Sequence, residues 1–291
     1  MLKRQLKYGG WVVLVIFFVY MLLHYADIFI VTPLVPVLMK EFNLNYTQTG
    51  LLGSGAIVVA TLLFPVWGYL FDKYSRRKLC ALASVIWAVT TWLSAQGRNF
   101  IELVITRALT GIDNAADPGF YSLISDYYPP KERGSAIGKI DAALPLGTIL
   151  GTIVGTFVGI TYGWRTAFTV TAIPGFIIAV IIWFFVKDVP RGRAEPEFAG
   201  LETITPRTID RRLATRLLKR RSLLLIYIQG FFGVFPWQVI SFWILTYIVT
   251  IRGLPQDIAT LAMVVWLVAM AIGYMVGGIF GDYLFRKTTR G

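Results

Sequence analysis

Gly68-Tyr69-Leu70-Phe71-Asp72-Lys73-Tyr74-Ser75-Arg76-Arg77-Lys78 sets a glycine, an acid and a basic cluster between two long apolar runs. The pattern returns at an offset of 210 residues, where Gly278, Asp282, Arg286 and Lys287 fall on the positions of Gly68, Asp72, Arg76 and Arg77 without a gap. Each copy follows an apolar segment of similar length. Recurrence at one offset marks a duplicated unit, and in a membrane chain a parallel repeat points to two homologous helical halves.

Composition supports that setting. The chain has 291 residues, of which 56% are hydrophobic and 15% charged, with a mean hydropathy of +0.65. That is too apolar for an ordinary soluble domain, so the expected solvent for most of it is the lipid bilayer. A net charge of +12 suits nucleic acid as well as membrane topology, and the placement of Lys and Arg decides between them. Lys3, Arg4 and Lys7, then 73–78, then Lys131 and Arg133, then 187–221, then Arg286, Lys287 and Arg290 fall between every second pair of apolar runs. The intervening loops hold only Lys40, Arg98, Arg165 and Arg252. This positive-inside bias puts the N-terminus and every even connection in the cytoplasm. No basic platform interleaved with aromatic residues stands outside the apolar runs, so no nucleic-acid partner is expected.

Cys80 is the only cysteine and His24 the only histidine. An intrachain disulfide is excluded, and no metal site, cofactor or catalytic constellation is expected, which argues against an enzyme. Cys80 reads as a small apolar helix residue.

Residues Trp11 to Leu38 run well past the roughly 7–15 residues of a signal-peptide core and predict a retained first helix. Tyr20, His24 and Asp27 share one face of it. Charge inside a span faces a bundle interior or an aqueous cavity, and Pro33 with Pro36 predicts a kink. Helix two runs from the cap residues Asn45-Tyr46-Thr47 to Leu70, and helix three from Leu79 to Ala95. Helix four, Phe100 to Tyr127, carries Arg107, Asp113, Asn114, Asp117 and Pro118, too many polar groups for a lipid-facing span. In helix five Gly147, Gly151, Gly155 and Gly159 follow Pro145 as an i, i+4 row that lets another backbone approach. Helix six covers Thr166 to Val186.

Lys187 to Arg221 is the domain boundary. Its second part, with Ile209, Leu213 and Leu217 among arginines, fits either an amphipathic helix on an anionic leaflet or a plain basic linker. Helix seven runs from Ser222 to Thr250 and helix eight from Ala259 to Phe280, with its own glycines at 273, 277 and 281. The expected organisation is a six-helix bundle over 1–187, a cytoplasmic linker over 188–221, and the first two helices of a second bundle over 222–291. Four spans of the second unit are absent by this count. The expectation is therefore a truncated product, a fragment, or a chain whose partner supplies the missing helices.

Several motifs resemble those of the major facilitator superfamily. Gly68-x-Leu70-x-Asp72-Lys73-x-Ser75-Arg76-Arg77 is similar to the family's signature between helices two and three, with Ser75 where a glycine is usual. Arg107-x-x-Thr110-Gly111, Pro130-x-x-Arg133-Gly134-x-Ala136-x-Gly138, the glycine row with Pro145, and Gly163-Trp164-Arg165-x-x-Phe168 resemble later signatures in the right order. Gly68-Tyr69-Leu70-x-Asp72-Lys73-Tyr74-Ser75-Arg76, Ala143-x-Pro145-x-Gly147 and Pro190-Arg191-Gly192-x-x-Glu195 are similar to the Spinster-like lipid transporters. Asp27 stands where that group has a helix-one acid, whereas Ile28 and Asp113-Asn114 depart from its pattern. The resemblance implies an all-helical polytopic transporter fold with the glycine rows of helices five and eight facing each other.

The expected function is secondary active transport by alternating access, coupled to protons, of a small organic or lipid-like solute. The alternative is a non-transporting sensor or assembly partner. Asp27 is the candidate proton carrier, with Arg107, His24 and Asp113 tuning it, since burial raises and a nearby cation lowers a carboxyl pKa. His24 reads more readily as a satisfied polar cavity residue than as a relay. Tyr20, Asn114, Asp117, Trp237 and Gln238 are expected to line the cavity; Trp237 and Gln238 stand at the repeat offset from Asp27 and Ile28. Gly68, Asp72, Arg76, Arg77, Gly278, Asp282 and Arg286 are expected to gate the inner face. Pro145, Gly147, Gly151, Gly155, Gly159, Gly273 and Gly277 are expected to serve helix packing.

Overall fold

The computed structural model describes residues 2–195 and 219–288, and all regular elements among them are helices. The first span is two helices, α1 (Leu2–Phe29) and α2 (Val31–Phe42). Pro33 has no N–H to offer the carbonyl of Phe29, which is why the chain bends between them. A left-handed Asn43, φ 51°, closes α2 and returns its N–H to the Met39 carbonyl. Helix α3 (Tyr46–Lys73) opens on a capping box in which Asn45 and Gln48 satisfy each other's backbone N–H. Ser75 caps α4 (Arg76–Ala95), accepting the Lys78 N–H.

Helix four is not the continuous span that its length predicts. It comprises α5 (Phe100–Leu109), α6 (Gly111–Asn114) and α7 (Asp117–Tyr127). Pro118 removes the bond to the Asn114 carbonyl, and the chain tightens into three-residue turns, with the Ala116 N–H on the Asp113 carbonyl at 2.8 Å. The breaks turn Arg107, Asp113 and Asp117 inward together. Helices α8 (Pro130–Asp141) and α9 (Ala143–Tyr162) form the fifth span, and α10 (Trp164–Phe185) the sixth. Gly163 between them has φ 89° and ψ 150°, a conformation open to glycine alone at little cost. Helix α11 (Arg221–Thr246) continues as a π turn (Tyr247–Ile251), and α12 (Gln256–Thr288) follows.

Seven segments among the described residues are long and apolar enough to cross a membrane. The broken 100–127 region is the expected span that is missing from that count. The chain divides into two compact units, residues 1–204 with 262–291 and residues 205–261. The proposed amphipathic helix around Ile209, Leu213 and Leu217 lies outside the described residues.

In the first unit α1 runs along α9, α4 along α10 and α3 along α5. The α9 glycines are the reason for the first pairing. A Cβ on Gly147 would meet the Leu22 carbonyl and Tyr25, one on Gly151 the Ala26 carbonyl, one on Gly155 Pro33 and Ile30, and one on Gly159 Leu34. The row therefore faces the first span, correcting the expectation that it meets the glycines of helix eight. Added Cβ atoms at Gly273 and Gly277 would meet nothing within 4 Å. The close approach to α12 is made instead by Gly134 and Gly138 on α8: a Cβ at Gly138 would stand 2.8 Å from the Tyr274 carbonyl and 3.2 Å from Gly278 Cα. Rings of Phe17, Tyr20, Trp87 and Phe120 fill the centre, with Tyr20 stacked on Phe120 at 4.2 Å between centroids. Leu62, Phe157 and Phe184 remain exposed, as suits side chains whose solvent is hydrocarbon.

Candidate functional site

Two polar nodes lie inside this apolar bundle. At the first, Asp27 on α1 is 1% exposed and both carboxylate oxygens are occupied. Thr91 Oγ1 donates to Oδ2 at 2.7 Å and Thr171 Oγ1 to Oδ1 at 2.9 Å. Arg107 Nη1 stands 3.4 Å from Oδ2, and its Nη2 reaches the Asp27 carbonyl at 3.5 Å. The guanidinium lies over the Phe168 ring at 5.2 Å, a placement that favours a planar cation. Four helices thus converge on one carboxylate. A buried acid held by two hydroxyls and a cation is costly to strip of any partner.

The second node is less satisfied. His24 Nε2 is 2.7 Å from Asp113 Oδ2, and His24 Nδ1 is 3.9 Å from Asp117 Oδ1. His24 and Asp113 are 1% and 0% exposed. Among the described residues, His24 Nδ1, Asp113 Oδ1, Asp117 Oδ1, Asn114 Oδ1 and the Tyr20 hydroxyl have no hydrogen-bond partner. Tyr20 stacks on the His24 ring at 5.3 Å and Trp87 meets that ring edge-on at 5.5 Å, which fixes the imidazole plane. Tyr20 and Asp117 thus gather with the candidate proton-coupling residues, and Asn114 follows Asp113 in α6. Trp237 and Gln238 sit mid-helix on α11 in the second unit, Gln238 exposed and Trp237 half-buried. Thr91, Thr171, Trp87 and Phe168 were not legible as site residues: a lone threonine or ring in an apolar run carries no signal until a charge is placed opposite it.

At the motif face the acid and the basic cluster find partners other than one another. Asp72, 71% exposed at its side chain, pairs with Arg191 at 3.3 Å, and Arg191 also donates to the Phe71 carbonyl. Arg76 is buried against Asp126, which also accepts the Gly192 N–H at 2.7 Å. The Arg77 guanidinium lies over Trp183 at 5.6 Å, while the Arg77 backbone N–H and the Ser75 hydroxyl both donate to Asp188. Arg133 reaches Glu195 at 2.8 Å. Asp126, Asp188, Arg191 and Glu195 were missed as site residues. The segment after helix six, read from sequence as boundary, supplies most of the counter-charges.

The second copy is built differently. Asp282 accepts the backbone N–H of Gly134 at 3.1 Å and of Ser135 at 2.7 Å. Gly278 lies against Gly134, with a Cβ there 2.7 Å from the Gly134 carbonyl, whereas a Cβ on Gly68 would meet nothing within 4 Å. Lys287 lies over Tyr283 at 4.6 Å, and the Arg286 side chain is outside the described residues.

Long apolar helices, a duplicated glycine-acid-base motif and charge buried between spans define a polytopic membrane protein class, and the comparisons agree. The family model of the Major Facilitator Superfamily matches residues 17–291, and the chain belongs to that superfamily. It is 27% identical over 274 residues to the hexuronate transporter of Bacillus subtilis, covering 92% of this chain and 63% of that protein. It is 30% identical over 245 residues to protein spinster homolog 1 of Xenopus laevis, covering 83% of this chain and 46% of that protein. The solved structure of a bacterial homolog of the human lysosomal transporter Spinster, inward-facing and unoccupied, superposes with a TM-score of 0.72 at 22% identity. That match covers 97% of this chain and 64% of the other, and at this identity it is a likeness of fold. The chain thus spans less than two thirds of the length of the relatives it matches.

Proposed function

We propose that the chain belongs to a secondary active transporter that works by alternating access, couples to protons and moves a small organic or amphiphilic solute, with its N-terminus cytoplasmic. The observation that carries this reading is the ionisable cluster Asp27, His24, Arg107, Asp113 and Asp117, held inside spans where charge is expensive and kept for pathways and relays. Asp27 is the proposed proton-binding acid. The groups facing it are Thr91 on α4, Arg107 on α5 and Thr171 on α10, with His24 on α1 and Asp113 on α6 within electrostatic reach. Protonation would release Arg107 from its carboxylate, a local charge change that a two-state bundle can read. The Asp72, Arg76, Asp126 and Arg191 network and the Asp282 contact with α8 are proposed as the elements whose making and breaking biases access.

The test is the 291-residue chain in sealed vesicles with a pH-reporting dye and an imposed proton gradient. Solute-dependent proton movement that Asp27→Asn abolishes is expected. Proton movement of wild-type size in that variant would remove Asp27 from coupling and overturn this reading.

A further inference from the structure

At the end of the bundle opposite the motif face, one carboxylate ties several spans together. Glu41, in the last turn of α2, accepts the Trp164 indole N–H at 2.6 Å on Oε2 and the Arg165 Nη1 proton at 2.9 Å on Oε1. Arg165 Nη2 donates to the Gly97 carbonyl at 2.9 Å, in the turn between α4 and α5, and its guanidinium lies over the Trp164 ring at 4.1 Å. The spans joined in this clasp are those that converge on Asp27. The first span carries the acid itself, α4 carries Thr91, α5 carries Arg107, and α10 carries Phe168 and Thr171. Trp164, Phe168 and Thr171 stand at i, i+4 and i+7, one buried stripe of α10. Trp164 meets Phe168 edge-on at 5.9 Å, the Arg107 guanidinium lies over Phe168 at 5.2 Å, and Thr171 donates to Asp27 at 2.9 Å.

The two contacts of Glu41 differ in weight. Its pair with Arg165 is 38% and 46% exposed at the side chains, and an exposed pair contributes little. Trp164 is 2% exposed, so its N–H depends on Glu41 for a partner. Gly163 gives α10 no side-chain cap, and the anchor of its first turn comes from across the bundle. We infer that Glu41 is a positioning residue for Asp27: by holding the Trp164 N–H it fixes the depth and rotation of α10, which keeps Phe168 under Arg107 and Thr171 on the carboxylate. The inference rests on the proton-coupling reading of Asp27, since the placement of that acid matters to transport only if it carries the proton. A helix moves as a rod, so a shift at Trp164 reaches Thr171, two turns and roughly 10 Å away, almost undiminished.

The experiment uses the full 291-residue chain in lipid nanodiscs and the apolar reagent dicyclohexylcarbodiimide, which adds to carboxyl groups in apolar surroundings. Labelling rates at Asp27 and Asp113 are read separately by peptide mass spectrometry. Asp113 is the internal control, because its bond to His24 does not involve α10. Glu41→Ala is expected to raise the Asp27 rate roughly tenfold, the scale of one charge-assisted hydrogen bond, and the Asp113 rate by no more than about twofold. Glu41→Gln still offers Trp164 an oxygen and should keep the Asp27 rate within about threefold of the wild type. Trp164→Phe keeps a ring against Phe168 and drops only the N–H. It should raise the Asp27 rate as Glu41→Ala does, which covers the case in which the alanine variant fails to fold. An Asp27 rate unchanged in both Glu41→Ala and Trp164→Phe, or an equal rise at Asp113, would overturn the inference. The coupling reading fails separately: proton movement of wild-type size in Asp27→Asn vesicles would sink it, while labelling of Asp27 that follows Glu41 would still hold.

Discussion

The Asp282 carboxylate accepts the Ser135 backbone N–H at 2.7 Å, so the acid of the second motif copy grips the backbone of α8 rather than a basic side chain. Gly134 donates to the other oxygen at 3.1 Å, which makes the grip bidentate. Asp282→Ala removes both charge-assisted bonds, worth roughly 1.5–3 kcal/mol each where the acceptor is ionised. Hydrogen exchange at the amides of Gly134 and Ser135 should accelerate in that variant, and by less in Asp282→Asn, whose amide oxygen still accepts one bond. Unchanged exchange in both variants would show that α8 holds these amides without Asp282.

Gly138→Leu is expected to be as damaging as Gly151→Leu. Both glycines lie against a backbone carbonyl, that of Tyr274 for the first and of Ala26 for the second. Forced overpacking costs typically about 1–3 kcal/mol even where neighbours can move, and a carbonyl in a helix moves little. Gly273→Leu has open space and should be tolerated. Thermal unfolding of the three variants in one detergent ranks them, and a Gly138→Leu midpoint matching the wild type would contradict the α8 to α12 packing.

The two ion pairs of the motif face should differ in weight. Asp72 and Arg191 are 71% and 26% exposed at their side chains, and an exposed pair is worth about 0–1 kcal/mol. Asp126 and Arg76 are about nine-tenths buried, and removing one partner leaves an uncompensated charge at roughly 3–5 kcal/mol. Asp126→Ala should therefore lower the unfolding midpoint far more than Asp72→Ala. Comparable midpoints would mean that water reaches Arg76.

Asp27→Asn is expected to destabilise as well as uncouple. The amide keeps its volume but leaves Arg107, 4% exposed, without an anion. Replacing both, as Asp27→Asn with Arg107→Gln, should recover part of the roughly 3–5 kcal/mol lost by the single change. Chemical denaturation of the double-mutant cycle measures this. Strict additivity would show that the 3.4 Å pair carries no coupling energy.

The Asp117 and Asp113 carboxylates should differ in how they tolerate neutralisation. Asp113 is held by His24 at 2.7 Å and is wholly buried, so Asp113→Asn keeps a hydrogen-bonding side chain while removing the charge opposite the imidazole. Asp117 is 20% exposed and 3.9 Å from the ring. The unfolding midpoint should fall more in Asp113→Asn than in Asp117→Asn, because the first variant weakens a buried charge-assisted bond to the ring and the second removes a more distant anion. Equal falls would mean that the two acids weigh equally on the imidazole.

Apolar run lengths, the alternating placement of Lys and Arg and the 210-residue repeat are local or one-dimensional properties, and they sufficed for a helical membrane fold and the superfamily. The same holds for the caps at Asn45 and Ser75 and the bend at Pro33, where a side chain acts on backbone within four residues. Buried charge in an apolar run also announced that Asp27, Arg107 and Asp113 would be found inside the bundle with polar partners, since lipid tolerates such groups only in company. What each charge faces was decided in three dimensions. Thr91 and Thr171 lie 64 and 144 residues from the carboxylate they serve, and Asp126 lies 50 residues from Arg76. A glycine row shows that some backbone comes close without saying which: for α9 it is the first span, and for Gly278 it is α8. Helix four is the sharpest case. Its polar residues were visible in the sequence, but only the three-way break at Thr110 and Pro118 brings Arg107 to Asp27 and Asp113 to His24, because an unbroken helix would have fixed their angular spacing.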